Sequence, residues 1–119
     1  MNDTQTTFAR VKELVKKMVD ERDWNQFHSP TNLAMKISIE ANELMEHFEY
    51  VDSKQSYEKL NIHRQEIENE LADVIIGATA FANACNIDIA AAVAYKIEEI
   101  KKKYPIDKAY GKSLKYNQL

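Results

Sequence analysis

The chain has 119 residues, a length typical of one domain, so we predict a single domain over residues 1–119. Its charged fraction of 29%, hydrophobic fraction of 45% and net charge of −3 are typical of a globular protein and disfavour nucleic-acid binding, which favours basic surfaces. No apolar run approaches the roughly 20 residues of a membrane span, and the single cysteine, Cys85, excludes an internal disulfide. These features predict a cytoplasmic protein with neither nucleic acid nor membrane as a partner.

Glycine and proline, which punctuate turns, occur only twice each, so the chain is predicted to be mostly helical. The first predicted helix covers about residues 4–22. Its apolar stripe follows helical spacing through Phe8, Val11, Val15, Met18 and Val19. A connector at 22–28 then holds Trp24, Phe27 and His28, aromatic residues that either plug a core or line a pocket. Composition alone favours the plug.

The second predicted helix covers about 30–49, because Ser29 is a favoured N-cap and Pro30 a favoured first residue. Its apolar stripe contains Leu33, Ile37, Ala41, Leu44 and Phe48. Glu40 lies inside this stripe and Glu43 lies at its margin. A carboxylate among apolar residues is costly unless it is paired or binds a metal. This placement is the strongest physical indication of a functional site.

The third predicted helix ends near residue 85 and starts near 57 or 61, in one or two pieces. Its predicted core stripe is Ile67, Leu71, Val74, Ala78, Phe81 and Cys85. A second stripe beside it carries Glu66, Glu70, Asp73 and Gly77. The segment 74–81 is apolar nearly all round, which predicts burial on two sides, one of them against another subunit. We therefore expect an oligomer.

The fourth predicted helix covers about 88–103, with Asp88 as its N-cap and Pro105 ending it. Lys96 falls within its apolar stripe, and an irregular tail from Tyr104 onwards follows. The predicted fold is therefore all-α, a four-helix bundle-like unit with an irregular C-terminal tail.

Two echoing segments, at 39–44 and 69–74, each carry two acids three residues apart, on one helix face. Four carboxylates brought together repel one another unless a cation holds them. Without a Cys/His cluster for zinc, hard oxygen ligands favour Mg²⁺ or Mn²⁺. A di-iron carboxylate site needs Glu-x-x-His motifs, which the chain lacks. The open alternative is that these acids pair with Lys or Arg of neighbouring helices.

Several blocks in order resemble the MazG-like all-α nucleoside triphosphate pyrophosphohydrolases, above all the dCTP pyrophosphatase branch. They are ERDWNQFHSPTNLA at 21–34, IEANELMEHFEY at 39–50, ENELADVI at 68–75, KIEEIKKKYP at 96–105 and GKSLKY at 111–116. The resemblance implies a four-helix unit that forms a homodimer or a dimer of dimers. It also implies hydrolysis of a nucleoside triphosphate substrate to the monophosphate and pyrophosphate, a house-cleaning reaction on the nucleotide pool.

The same resemblance implies roles for individual residues. The metal ligands for Mg²⁺ would be Glu40, Glu43, Glu70 and Asp73. The mechanism that we hypothesise beside these roles has Glu43 as general base, taking the proton of the attacking water, and Lys96 stabilising the leaving pyrophosphate. The remaining substrate-binding residues would be Trp24, Phe27, His28, Tyr50, Asp73 and Tyr104, with Tyr50 where relatives have Trp. Ile100 and Gly77 depart from the family pattern, which affects the expected base and sugar selectivity.

Two alternatives remain beside this interpretation. One is a dUTP- or phosphoribosyl-ATP-type pyrophosphohydrolase on the same fold. The other is a non-enzymatic helical interaction module whose acids are only structural.

Overall fold

A computed structural model describes all residues 1–119, and every regular element in it is helical. The helices are α1 (Phe8–Glu21), α2 (Pro30–Glu46), α3 (Ser53–Ile62), α4 (Arg64–Cys85), α5 (Ile89–Lys103) and α6 (Ile106–Ala109), with short 3-10 helices at Trp24–Phe27 and Tyr116–Gln118. The all-α prediction is therefore confirmed. The chain divides into two compact units, Met1–Asn86 and Ile87–Leu119, and the single-domain assignment stays a prediction.

Side-chain caps fix where three of the long helices begin. The hydroxyl of Ser29 accepts a hydrogen bond from the Asn32 amide at 3.1 Å, and Asp88 caps α5 in the same way, as predicted. Thr7 caps α1, so this helix begins at Phe8 and not near residue 4 as expected. Helix α2 ends at Glu46, three residues before the predicted end at 49.

The third predicted helix is two helices. Asp52 and Gln55 form a capping box that starts α3 at Ser53, before the predicted start near residue 57 or 61. The helical path then breaks at His63, which ends α3 and precedes α4. The tail also differs from the expected irregular segment, because it contains α6 and the last 3-10 turn.

The core of the first unit lies where α4 packs against α1 and α2. Val15, Val19, Leu33 and Ala80 form its buried centre. Gly77 is also buried, and a Cβ atom there would lie 3.3 Å from Cγ1 of Ile37 on α2. The side chain that faces this position of α4 is Ile37. The helices approach closely because Gly77 has no side chain.

The face of α4 that meets α2 differs from the predicted core stripe. Leu71, assigned to the core from its spacing, is 51% exposed, and Ala78 is exposed as well. Glu70 and Gly77, assigned to a flanking stripe, lie two turns apart on the side facing α2. Apolar periodicity missed this face because one of its members is acidic and another has no side chain.

The second unit is built on α5, α6 and the final 3-10 turn. None of the residues of α5 is buried, and its apolar residues Val93, Ile97 and Ile100 are nearly half exposed. Lys101, Lys102 and Lys103 occupy its last turn, where cations suit the helix dipole. No single helix in the chain has the length and hydropathy of a membrane span, although α4 and α5 would reach them as a broken pair.

Candidate metal centre

Three of the four predicted acidic ligands meet between α2 and α4. One carboxylate oxygen from each of Glu40, Glu43 and Glu70 lies within 4.8 Å of the others, and all three residues are half-buried. Glu40 and Glu43 share a face of α2 because they are three residues apart. Glu70 reaches them from α4 across the helix contact. The packing of two helices thus concentrates negative charge in a partly desolvated place.

The repulsion within this cluster has an electrostatic signature at Glu43. The nearby charge of Glu40 raises the pKa of the Glu43 carboxyl above its usual value, and Glu70 raises the pKa further. One cation offsets part of this charge. Nζ of Lys36 lies 3.3 Å from Oε1 of Glu40, one helical turn away on α2. The single ammonium group leaves most of the negative charge of the cluster unbalanced.

The surroundings of Glu70 indicate whether the three clustered carboxylates suit a metal ion. Its Oε2 atom is buried and has no hydrogen-bond partner, a costly state for a carboxylate oxygen. A divalent cation would satisfy this atom and neutralise the facing carboxylates together. Carboxylate oxygens are the ligands that Mg²⁺ and Mn²⁺ prefer. The residues present therefore fit a hard divalent ion.

The fourth predicted ligand stands apart from this cluster. Asp73 lies on α4 one turn after Glu70, but its side chain is exposed and it does not belong to the group of three. Its predicted role as a metal and substrate ligand stays a prediction.

The aromatic connector forms a 3-10 turn with exposed rings. Trp24 is 43% exposed and Phe27 is 58% exposed, so the plug favoured from composition is wrong. The Arg22 guanidinium lies 5.8 Å from the centre of the Trp24 ring, a cation–π distance. His28 is half-buried. Exposed rings agree with the pocket-lining alternative.

The other predicted substrate residues lie in three further places. Tyr50 follows α2, is fully exposed, and has a left-handed backbone with φ of 61°. Lys96 lies on α5 with an exposed side chain, in contrast to the burial expected from its stripe. Tyr104 caps α5 and makes an edge contact with the ring of Tyr116, with centroids 6.2 Å apart. Their functional roles stay predictions.

Two residues beside the cluster were missed by sequence reasoning. Lys36 pairs with Glu40, and Nε2 of His47 lies 3.9 Å from Oε1 of Glu70. The available signal for Lys36 was i,i+4 spacing, because Lys36 precedes Glu40 by four residues. No sequence spacing links His47 to Glu70, because that contact joins two different helices.

With this geometry in place, comparison with known proteins identifies the class. The sequence model of the MazG-like family matches residues 35–119, which include all three clustered glutamates. The chain belongs to the MazG-like family. This result confirms the resemblance inferred from the sequence blocks.

The chain is also similar to individual proteins and to a solved structure. The chain is 30% identical to dCTP pyrophosphatase 1 of Bos taurus over 98% of its own length and 70% of that protein. It is 32% identical to dCTP pyrophosphatase 1 of Homo sapiens, over 97% of the chain and 69% of the relative. A crystal structure of a pyrophosphatase from Archaeoglobus fulgidus superimposes with a TM-score of 0.81 at 32% identity, covering 88% of this chain and 98% of that one.

These similarities confirm the predicted enzyme class, a nucleoside triphosphate pyrophosphohydrolase. MazG-like pyrophosphatases generally depend on a metal ion, and the cluster of Glu40, Glu43 and Glu70 supplies suitable ligands.

Proposed function

We propose that this protein cleaves (deoxy)nucleoside triphosphates between the α- and β-phosphates, releasing the monophosphate and pyrophosphate, with dCTP or a related deoxynucleotide as substrate. The observation that carries the proposal is the convergence of Glu40, Glu43 and Glu70 in a chain of the MazG-like family. Similarity to dCTP pyrophosphatases over nearly the whole chain supports this choice of substrate. The reaction would remove unwanted nucleotides from the pool.

We assign the metal to Mg²⁺, with Mn²⁺ as a substitute, held by Glu40, Glu43 and Glu70. The resemblance adds Asp73 as a further ligand near the substrate. When bound, Mg²⁺ would orient the phosphates and offset the negative charge that develops during the reaction. The unpaired buried oxygen of Glu70 supports a cation at this place.

Glu43 is the proposed general base. A water oxygen bonds to phosphorus, the bridging P–O bond breaks, and the proton of the water passes to the Glu43 carboxylate. The place of Glu43 in the cluster supports this role, because a carboxylate oxygen that does not bind the metal can accept the proton beside it. We assign Lys96 to the leaving pyrophosphate on the strength of the family resemblance.

Aromatic side chains are the proposed contacts for the nucleoside. Trp24, Phe27 and His28 would enclose the base, with Tyr50 and Tyr104 as further contacts. The exposure of Trp24, Phe27 and Tyr50 supports this assignment, since a stacking surface has to be reachable.

We also propose a homodimer or a dimer of dimers. Leu71 and Ile75 leave an apolar strip exposed along α4, and half-exposed Phe8 of α1 lies beside it in the same groove. Apolar surface of this kind on adjacent helices is characteristic of interfaces between subunits.

The test is pyrophosphate release from a panel of natural and modified nucleoside triphosphates, with and without Mg²⁺. We expect dCTP or a close analogue to be turned over fastest. Glu40→Gln and Glu70→Gln should each lower kcat by at least about 100-fold while circular dichroism stays helical. Glu68→Gln is the matched control, because Glu68 is an exposed α4 residue that pairs with Arg64 at 3.5 Å.

Full Mg²⁺-dependent turnover in the Glu40→Gln and Glu70→Gln variants would show that the site is elsewhere. A chain that releases no pyrophosphate from any nucleotide and binds no Mg²⁺ by calorimetry would be an interaction module. Preference for dUTP or phosphoribosyl-ATP would keep the reaction and change only the substrate.

A further inference from the structure

Lys36 is the one charged residue on an apolar turn of α2. The rest of the segment 33–37 is Leu, Ala, Met and Ile. At about 100° of rotation per residue, Lys36 falls between Glu43 and Glu40 on the helical wheel, within an arc of about 60°. Its side chain therefore shares the face of α2 that carries both glutamates. Its Nζ atom lies 3.3 Å from Oε1 of Glu40, so a cation is built into the helix that supplies two of the clustered carboxylates.

The ion pair of Lys36 and Glu40 joins a shielded acid to an open base. The side chain of Glu40 is 13% exposed, whereas that of Lys36 is 52% exposed. In the pair of Lys17 and Glu21, which has the same spacing on α1, the glutamate is 56% exposed and the separation is 3.8 Å. Pairs of the second kind contribute little, because water screens both charges. Water screens the first pair less, so the ammonium group of Lys36 is held beside the cluster and stays accessible from solvent.

Lys36 balances only part of the charge of the metal-free cluster. Glu40 raises the pKa of the Glu43 carboxyl even though Lys36 lies against Glu40. One divalent ion and one ammonium group together would neutralise three carboxylates. Once such an ion shares the oxygens of Glu40, the attraction between this glutamate and Lys36 weakens, and the ion repels the ammonium group. Metal binding should therefore release Lys36 from Glu40.

A released Lys36 would lie within reach of a phosphate on the same ion. Oxygen ligands of Mg²⁺ lie about 2.1 Å from the ion, so a phosphate oxygen is at most roughly 4 Å from the bound oxygen of Glu40. Lys36 already contacts Glu40, and its flexible four-carbon stem can carry the ammonium group over that distance. A lysine ammonium group binds phosphate as a point charge. The two contacts can thus exchange without any movement of α2.

We propose that Lys36 is a substrate-binding residue with two alternating partners: it neutralises Glu40 in the metal-free protein and contacts the triphosphate when Mg²⁺ binds Glu40. This inference rests on the proposed function, since the phosphates enter with the nucleotide. Lys36 then has opposite effects on the two ligands of the site. Its charge opposes the binding of Mg²⁺ alone and favours the binding of the triphosphate. A lysine that only stabilises α2 has neither effect.

Calorimetry with Mg²⁺ and no nucleotide measures the first effect. Lys36→Met should bind Mg²⁺ about three- to tenfold more tightly, because a competing positive charge is removed. This gain should shrink in about 1 M salt, which screens the charge. Lys36→Arg keeps the charge and should bind Mg²⁺ as the unchanged protein does. Lys17→Met is the matched control, because it removes a pair of equal spacing whose glutamate lies outside the cluster.

Nucleotide binding measures the second effect. At saturating Mg²⁺, Lys36→Met should bind the α,β-imido analogue of dCTP, which resists cleavage, about three- to tenfold more weakly. The KM for dCTP should rise by a similar factor while kcat changes much less, because the contact is made in the bound substrate as well as in the transition state. Lys36→Arg should restore most of the affinity, and Lys17→Met should leave it unchanged.

Two results would overturn the role of Lys36. One is absent, unchanged or weaker Mg²⁺ binding in Lys36→Met while circular dichroism stays helical. The other is unchanged affinity of this variant for the analogue. A chain that shows both expected shifts in binding, yet releases no pyrophosphate, would contradict the proposed reaction and leave the role of Lys36 in place. The binding measurements involve no turnover, so the two failures are distinguishable.

Discussion

A Cβ atom added to Gly77 would lie 3.3 Å from Cγ1 of Ile37, so the bare position sets how closely α4 approaches α2. Ile37 precedes Glu40 by one turn and Gly77 follows Glu70 by two turns. The spacing of the clustered carboxylates therefore depends on a glycine that contributes no ligand.

Enlarging Gly77 should separate the two helices. Gly77→Leu should lower the free energy of unfolding by about 1–3 kcal/mol through overpacking and weaken Mg²⁺ binding at least tenfold. Gly77→Ala should be nearly neutral, because a gain of about 1 kcal/mol in helix propensity opposes the tight contact with Ile37. Urea unfolding and calorimetry with Mg²⁺ measure the two effects.

Ala72→Leu is the control for the two Gly77 variants, since Ala72 is an exposed residue of the same helix. It should change neither stability nor Mg²⁺ affinity by much. Tight Mg²⁺ binding in Gly77→Leu would mean that the helix spacing does not govern the site.

Glu43 should make the metal-free protein less stable as pH rises. Its pKa in the folded state is raised above the usual 4.5, so the folded chain binds this proton more tightly than the unfolded chain does. The free energy of unfolding should fall as pH rises from 4.5 through the raised value. Thermal unfolding in chelator across this range measures the slope, and Glu43→Gln should flatten it.

Asp20 should make the free energy of unfolding change with pH in the direction opposite to that expected for Glu43. Hydrogen bonds from Lys16 and Asn25 lower the pKa of its carboxyl below the usual 3.8. Its stabilising contribution is therefore present above pH 3.8 and is lost as pH falls below that value. Asp20→Asn should alter the acid limb of the profile only. A change above pH 4.5 in that variant would contradict the assignment to Glu43.

Tyr50 is expected to lower the stability of the fold while its ring contributes to nucleotide binding. Its backbone has φ of 61°, a left-handed conformation that costs a side-chain-bearing residue about 1–2 kcal/mol. Tyr50→Asn should raise the free energy of unfolding by about 1 kcal/mol, because Asn tolerates this conformation. The same variant should raise KM for the nucleotide if the ring contacts the base. Tyr57→Asn, within α3 and 70% exposed, should give neither effect.

Leu33 should be the most costly core residue to truncate. It is only 1% exposed and packs with Val15, Val19 and Ala80. Leu33→Ala should lower the free energy of unfolding by about 2–5 kcal/mol, measured in urea. Met35→Ala, on the same helix but 60% exposed, should cost far less. Similar losses in both variants would show that burial does not set the difference.

The sequence predicted the helical class well because caps and apolar spacing act locally. Ser29 and Asp88 cap the helices expected of them. The break at His63 was not located, since neither proline nor glycine marks it. The capping box of Asp52 and Gln55 was a readable signal that was overlooked.

The candidate site was predictable in part for a similar reason. The pairing of Glu40 with Glu43 follows from helical spacing, and their meeting with Glu70 followed from the echoing motifs. The exposure of Asp73 and the neighbouring histidines depend on how α4 is rotated against α2. That rotation is a tertiary property, which the spacing of residues along one helix does not determine.

The carboxylates that converge on this centre come from two helices joined by the α3 segment. An ion that binds all of them would tie the two ends of that loop together, as a reversible crosslink does. Because the carboxylates converge only in the folded chain, the ion binds that state and stabilises it by mass action. The supply of metal in the cell would then set how long the enzyme survives proteolysis, in addition to how fast it turns over.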